Sequence, residues 1–185
     1  NPIYGVMNCL DLLKSEVPEN STKRRFLEMA TSETKRISEL LRGMLSFFRP
    51  DEDVRSLVDL NSVIDDVIIF VGKQLQEFKI QVVLELADDL PRVFASGNQM
   101  KQVILNLIMN AKTAMQRGGT LTIATTWFDG KVRFSVSVTG TGIPEDIRDR
   151  IFEAFFTTKS DVQGVGLGLS VCFGIIHQHN GEIAV

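Results

Sequence analysis

The chain has 185 residues, of which 44% are apolar and 23% charged, with a formal net charge of -3 at pH 7. That length supports one substantial core and a smaller appendage, and that balance excludes a disordered chain. Basic residues are scattered, with Lys23-Arg24-Arg25 as the densest run and read as a solvated helix face, so neither nucleic acid nor an anionic membrane is expected as a partner. No stretch approaches the roughly 18 consecutive apolar residues of a membrane span, and no signal peptide is present. Cys9 and Cys172 lack metal-ligand spacing and sit in apolar helical contexts, which predicts two buried free thiols in a reducing, cytoplasmic compartment.

In chain order, residues 1–16 carry a helical stripe at Ile3, Val6, Met7, Leu10 and Leu13, already periodic at the first residue. The chain also stops at GEIAV, just as a strand begins, and so reads as a fragment cut at both ends. Pro18 to Ser21 form a loop with Ser21 as N-cap. A second helix follows, with Phe26, Met29, Ala30, Ile37, Leu40, Leu41, Met44, Leu45 and Phe48 on one broad face, broken at Glu33. One hairpin cannot bury such a face on both helices, so a second copy completing a four-helix bundle is expected; packing on the rest of the same chain is the alternative. Arg49-Pro50-Asp51-Glu52-Asp53 ends the helix and marks a boundary between a hairpin domain, 1–50, and a second domain, 54–185.

The second domain alternates helix and strand signals. An amphipathic helix is predicted over 61–76, a half-buried strand over 79–86 and a strongly apolar helix over 98–116, ended by Gly118-Gly119. Strands over 120–127 and 131–138 are joined at Asp129-Gly130, a hairpin signal. Pro144 suits the first turn of a short helix. Residues 157–166 read as a loop, and a last helix over about 167–179 closes on Asn180-Gly181. Antiparallel strands on one side with helices on the other give an α+β two-layer sandwich.

No GxxxxGK[ST] occurs and no GxGxxG follows a strand, which excludes the P-loop and Rossmann signatures. Two shorter glycine groups remain, Gly140-Thr141-Gly142 and Gly164-Val165-Gly166-Leu167-Gly168. Each sits where the chain feeds a helix, where backbone can approach a ligand and N–H groups are free for phosphate; each could equally be a tight connection. On the apolar helix, Asn106 and Asn110 are four apart and share a face. Their amides either cap nearby backbone or offer a hard oxygen ligand to magnesium that also holds phosphates.

Read together, these strings resemble the sensor histidine kinases of two-component systems. QVILNLIMNAKTAM resembles the N box, TGTGIP the G1 box, IFEAFFTTK the F box and GVGLGLSV the G2 box, in the family's order and spacing. HNGEI resembles the stretch after the last helix, while NPIYGVMNCLDLL and ETKRISELLRGMLSFFRP resemble the two helices of the dimerisation hairpin. The resemblance covers nearly the whole chain. It implies a hairpin forming a dimeric four-helix bundle, followed by an ATP-binding catalytic domain of the Bergerat type shared with gyrase and mismatch-repair ATPases. It also implies magnesium, ATP and a response-regulator receiver domain as ligands and partner. Membrane attachment would come, if at all, only through an upstream sensor region. Asn110 would hold magnesium, with Asn106 close by; Gly140 and Gly142 would make room for adenine. Gly164, Gly166 and Gly168 would wrap the phosphates, with Leu169 beside them and Lys159 at the base of the lid that Phe152 and Phe155 anchor. The γ-phosphate would pass to a histidine on the first helix, making a phosphoprotein, and then to a regulator aspartate. Chaperone-type relatives fit less well, since they lack the preceding hairpin.

Three positions depart from the family pattern. The phosphoacceptor histidine would fall four residues before Asn1 and is absent from the chain; Asn1 matches a polar position implicated in dephosphorylating the regulator. His177 and His179 lie in the last helix, and His179 matches a position often held by histidine. Val138 stands where the G1 box carries the adenine-binding aspartate, and Ser96 stands where an aspartate is frequent. Valine cannot accept the adenine amine's hydrogen bond, a loss of roughly 1.5–3 kcal/mol or about 10- to 150-fold in affinity. Val138 is consistent with an engineered substitution, or with a natural pseudokinase working as a phosphatase or dimeric scaffold.

Overall fold

The computed structural model describes residues 2–48, 54–158 and 166–185, which divide into two compact units: a helical pair and an α/β unit. Residues 49–53, expected as the boundary, lie outside the described residues.

The first unit is α1 (Pro2–Glu16) followed by α2 (Thr22–Phe48). Ser21 caps α2 as expected, its Oγ accepting the Lys23 N–H at 3.2 Å. Arg24 is not simply solvated, as its basic run suggested. Its guanidinium donates to the carbonyls of Lys14 and Val17 at the end of α1, where free carbonyls and the negative end of the helix dipole attract a cation. The two helices meet along Ile3, Met7, Leu10 and Lys14 of α1 and Arg24, Leu27, Thr31, Thr34 and Ser38 of α2, all half-buried. The described part of the apolar face expected on α2 therefore points elsewhere: Phe26, Met29 and Ile37 are 66%, 60% and 48% exposed, while the side chains of Leu40, Leu41, Met44, Leu45 and Phe48 lie outside the described residues. Cys9 is exposed rather than buried, because it lies off the stripe through Ile3, Met7 and Leu10 that meets α2.

The second unit contains β1 (Ser56–Val58), α3 (Leu60–Glu77), β2 (Ile80–Glu85), β3 (Val93–Ala95), α4 (Gly97–Ala114), β4 (Gly119–Phe128), β5 (Lys131–Val138), a short 3-10 helix (Glu145–Arg150) and α5 (Gly168–Gln178). The main sheet runs β2-β4-β5. It corrects the all-antiparallel expectation: β2 and β4 are parallel, with Ile80 beside Gly119 and Glu85 beside Ala124. The reason is the connection, since β2 reaches β4 through α4, and a long crossover delivers the next strand in the same direction. Only β4 and β5 form the expected hairpin, from Phe128↔Lys131 to Leu121↔Val138, turned by Asp129 and Gly130 at φ 52° and 71°. β1 and β3, too short to show a period, pair antiparallel as a separate ribbon.

Helices α3, α4 and α5 bury their apolar faces in a single core with the sheet. Ile64, Ile108, Leu121, Ile123 and Cys172 are fully buried, each large aliphatic contributing about 1.5–3 kcal/mol. Opposite Leu121, Ile123 and Thr125, the residues Val138, Val136 and Phe134 of β5 are half-buried and pack on the same core. The buried Thr125 hydroxyl donates to Asn61 Oδ1 and accepts from the Ala87 N–H, while Asn61 Nδ2 donates to the Ala87 carbonyl. That closed loop satisfies the polar groups where α3, β2 and β4 meet. Pro144 stands just before the 3-10 helix rather than within its first turn.

Candidate functional site

The site grows from the start of α4. Ser96 Oγ accepts the Gln99 N–H at 3.3 Å, so serine here serves as the helix N-cap. Serine and aspartate are near-equal N-caps, and the departure at Ser96 leaves the cap in place. One face of α4 (Val103, Ile104, Ile108 and Ala111) is buried. Asn106 and Asn110 lie on its flank, half-buried, and both turn toward the first residue of α5. Asn106 Nδ2 donates to the Gly168 carbonyl at 3.3 Å. Asn110 Nδ2 would stand 3.6 Å from a side chain at Gly168. The structure thus brings together three residues that the sequence separates by about sixty positions.

The second wall is the turn after β5. Val138 ends the strand half-buried, and Thr139 Oγ1 accepts the Thr120 N–H at 2.9 Å, pinning the turn to β4. Gly140 then passes so close to the end of α4 that a Cβ would sit 2.6 Å from the Ala114 carbonyl oxygen. Gly142 is needed for a different reason, φ of 70° with open space around it.

Phe152 meets Phe173 of α5 in a tilted ring pair, 5.8 Å between centroids. The Phe155 side chain is 60% exposed, and its backbone N–H donates to the Gly166 carbonyl at 3.0 Å. Gly166 has φ of 72° and no room for a side chain against Phe155 and Phe156. Leu169 lies half-buried in the first turn of α5. Asn1, Lys159 and Gly164 lie outside the described residues.

Cys172 sits beneath Asn106, with Sγ 3.8 Å from the Val103 carbonyl oxygen. Burial pushes its thiol up from 9.0 to about 11, an effect that the Asn106 hydrogen bond only partly offsets. Among the described residues no cluster of His, Cys, Asp or Glu could hold a metal. A single half-exposed carboxamide such as Asn110 fits magnesium that is otherwise held by phosphate and water. No helix of the described residues is long and apolar enough to cross a membrane.

Some of the site was not anticipated from the sequence. The spacing Ser96-x-x-Gln99 is a capping-box signal that could have located the start of α4. Nothing local could have signalled Cys172 under Asn106, or the His179 Nε2 that accepts the Ser96 N–H at 3.1 Å, because these contacts span the fold.

Residues 95–185 match the family model for the histidine kinase-, DNA gyrase B-, and HSP90-like ATPase. The chain is 36% identical to the catalytic domain of histidine kinase ThkA, superposing with a TM-score of 0.62 over 68% of this chain and 81% of that one. A structure of histidine kinase ThkA in complex with response regulator protein TrrA matches 98% of this chain and 52% of that one, at 27% identity and a TM-score of 0.70. Sporulation kinase E of Bacillus subtilis (strain 168) is 32% identical over 100% of this chain and 25% of its own length. The fold and the site together define a mixed α/β ATPase domain, and the chain belongs to this family as the catalytic ATPase domain of a sensor histidine kinase. It spans a quarter to about two-fifths of the length of the first curated relatives it matches.

The two thiols should separate in chemistry. At about pH 8 an alkylating reagent should modify Cys9 and spare Cys172 in the folded chain. Because the native pKa of Cys172 is raised, its contribution is intact below pH 9.0 and lost as pH rises to about 11. Denaturant titrations should show Cys172→Ala losing less stability than the parent across that window; equal losses would contradict the burial account.

Proposed function

We propose that this chain is the catalytic core of a protein-histidine kinase: a hairpin domain, 1–50, for dimerisation and phosphotransfer, and an ATP-binding domain, 54–185. ATP would be bound where α4, the turn after β5 and the start of α5 converge. The observation that carries this reading is the convergence of Asn106 and Asn110 on Gly168, 3.3 Å from the first of them. Asn110 would hold magnesium, which would supply positive charge to neutralise the phosphates, and Asn106 fixes the start of α5 beside it. Gly140 and Gly142 leave room for adenine, and Gly164, Gly166 and Gly168, with Leu169 and Lys159, surround the phosphates. The γ-phosphoryl group of ATP would pass, with release of ADP, to a histidine expected four residues before the position of Asn1, and from that histidine to an aspartate of a response-regulator receiver domain. Asn1 occupies the position that assists dephosphorylation. The complex of ThkA with TrrA supports a receiver domain as partner, and the reading places the catalytic core in the cytoplasm.

Val138 weakens that activity. It packs on the core beside Leu121 and offers the adenine amine no acceptor. A chain with poor nucleotide affinity and an intact hairpin suits a second role, as a dimeric scaffold or phosphatase on the response regulator. Val138→Asp should tighten magnesium-ATP binding about 10- to 150-fold in titration calorimetry. Affinity already in the tight range for the parent, or no change on substitution, would sink the assignment of Val138 as the weak point.

The hairpin is expected to work as a homodimer. Val6 and Leu13 of α1, with Phe26, Met29 and Ile37 of α2, are exposed large apolar residues on a pair of helices that bury largely polar residues of α2 against each other. A second copy removes them from water, each giving about 1.5–3 kcal/mol. Sedimentation of the chain should report a dimer, with Ile37→Glu weakening it at least about tenfold; a parent that stays monomeric at high concentration would refute dimerisation through this face.

A further inference from the structure

We propose that His179 and Ser96 form a clamp that sets the register of α5 against α4 and so holds Gly168 against Asn106 and Asn110. Its nucleotide readout rests on the ATP-site reading above; its structural readout does not. His179 closes α5: its backbone N–H reaches the carbonyls of Ile175 and Ile176. Asn180, at φ 55°, donates to the His177 carbonyl, and Gly181 to that of Ile176 at 2.9 Å. This is a Schellman closure, and it holds the imidazole in one place. Nδ1 lies 2.8 Å from the Ile175 carbonyl oxygen, which can only accept, so Nδ1 carries the proton. Nε2 is then the acceptor for the Ser96 N–H at 3.1 Å. Ser96 is 2% exposed and immediately precedes α4.

The clamp lies far from the nucleotide groove but is rigidly geared to it. Ser96 precedes Asn106 by ten residues and His179 follows Gly168 by eleven, so at about 1.5 Å per residue the two helical spans are about 15 and 17 Å. Between the ends, Cys172 Sγ meets the Val103 carbonyl. Three contacts, at Ser96–His179, Val103–Cys172 and Asn106–Gly168, therefore run along two oppositely directed helices in one register. A slip of one helical turn, about 5.4 Å, would carry Gly168 away from both asparagines. The apolar contacts of Val171 and Ile175 with the core hold α5 against α4, but apolar packing alone specifies register weakly compared with a directional bond. His179 is a positioning residue in this account and touches no ligand.

The test compares His179→Phe, which keeps a ring but has no acceptor, with His179→Gln, whose amide oxygen can reach the Nε2 position. Hydrogen exchange is followed at the Val171 amide, which bonds the Leu167 carbonyl in the first turn of α5, and at Leu121 and Ile123 in β4 as controls. Magnesium-ATP is titrated into each 185-residue chain. In His179→Phe, exchange at Val171 should rise about tenfold and nucleotide affinity fall about tenfold, with β4 unchanged. His179→Gln should restore both to within about threefold. Unchanged exchange and affinity in His179→Phe would overturn the clamp, as would exchange rising equally in β4 or a glutamine that fails to rescue. If the parent chain binds no magnesium-ATP, the nucleotide reading falls and exchange at Val171 alone decides the clamp. Should His179→Phe not fold, His179→Ala carries the same readouts.

Discussion

The half-burial of α4 is the constraint on which the rest of the α/β unit depends. One face of this helix is pressed into the core through Val103, Ile104, Ile108 and Ala111, and those contacts leave it almost no freedom to rotate. Asn106 and Asn110 sit on the flank of that face, so the burial of their aliphatic neighbours aims their amides at α5. Placed this way, both amides are half-buried beside Gly168. Asn106 has the Gly168 carbonyl, and among the described residues Asn110 makes no side-chain hydrogen bond. The direction of the two amides is thus a by-product of core packing.

The same coupling explains why Val138 can occupy its position without damage to the fold. β5 alternates exposed and half-buried residues from Lys131 to Val138, and a valine at the last half-buried place continues the pattern opposite Leu121. A carboxylate there would interrupt the alternating face and lose packing against the core.

Much of this was legible in the sequence, and the residues show why. The helical periods of α2, α3 and α4, the Asp129-Gly130 turn, the Ser21 cap and the Asn180-Gly181 closure all rest on local rules of three to eight residues, and those rules operate here without strong competition. The parallel pairing of β2 with β4 is not written in either strand, because strand direction is decided by what lies between the strands. Cys9 and Arg24 depart from their expected exposure because burial in a hairpin depends on which side the partner helix takes. Of the site, the asparagine pair and the glycine groups were visible as residue types at suggestive spacings. Their convergence was not, because Asn106 and Gly168 are brought together only by the packing of α5 on α4. The exposed Phe155 shows the same limit: its side chain faces solvent, and its contact with Gly166 is made by its backbone N–H.

On the proposed function, nucleotide binds where α4, the turn after β5 and the start of α5 meet, and amide shift mapping of the chain during titration with magnesium-ATP is the sharpest check. The account predicts that perturbations concentrate at Asn106, Asn110, Gly140, Gly142, Gly166 and Gly168, including the side-chain amides of both asparagines. Perturbations centred instead on the apolar groove of Ile69, Phe70 and Leu105 between α3 and α4, or scattered without a centre, would contradict it.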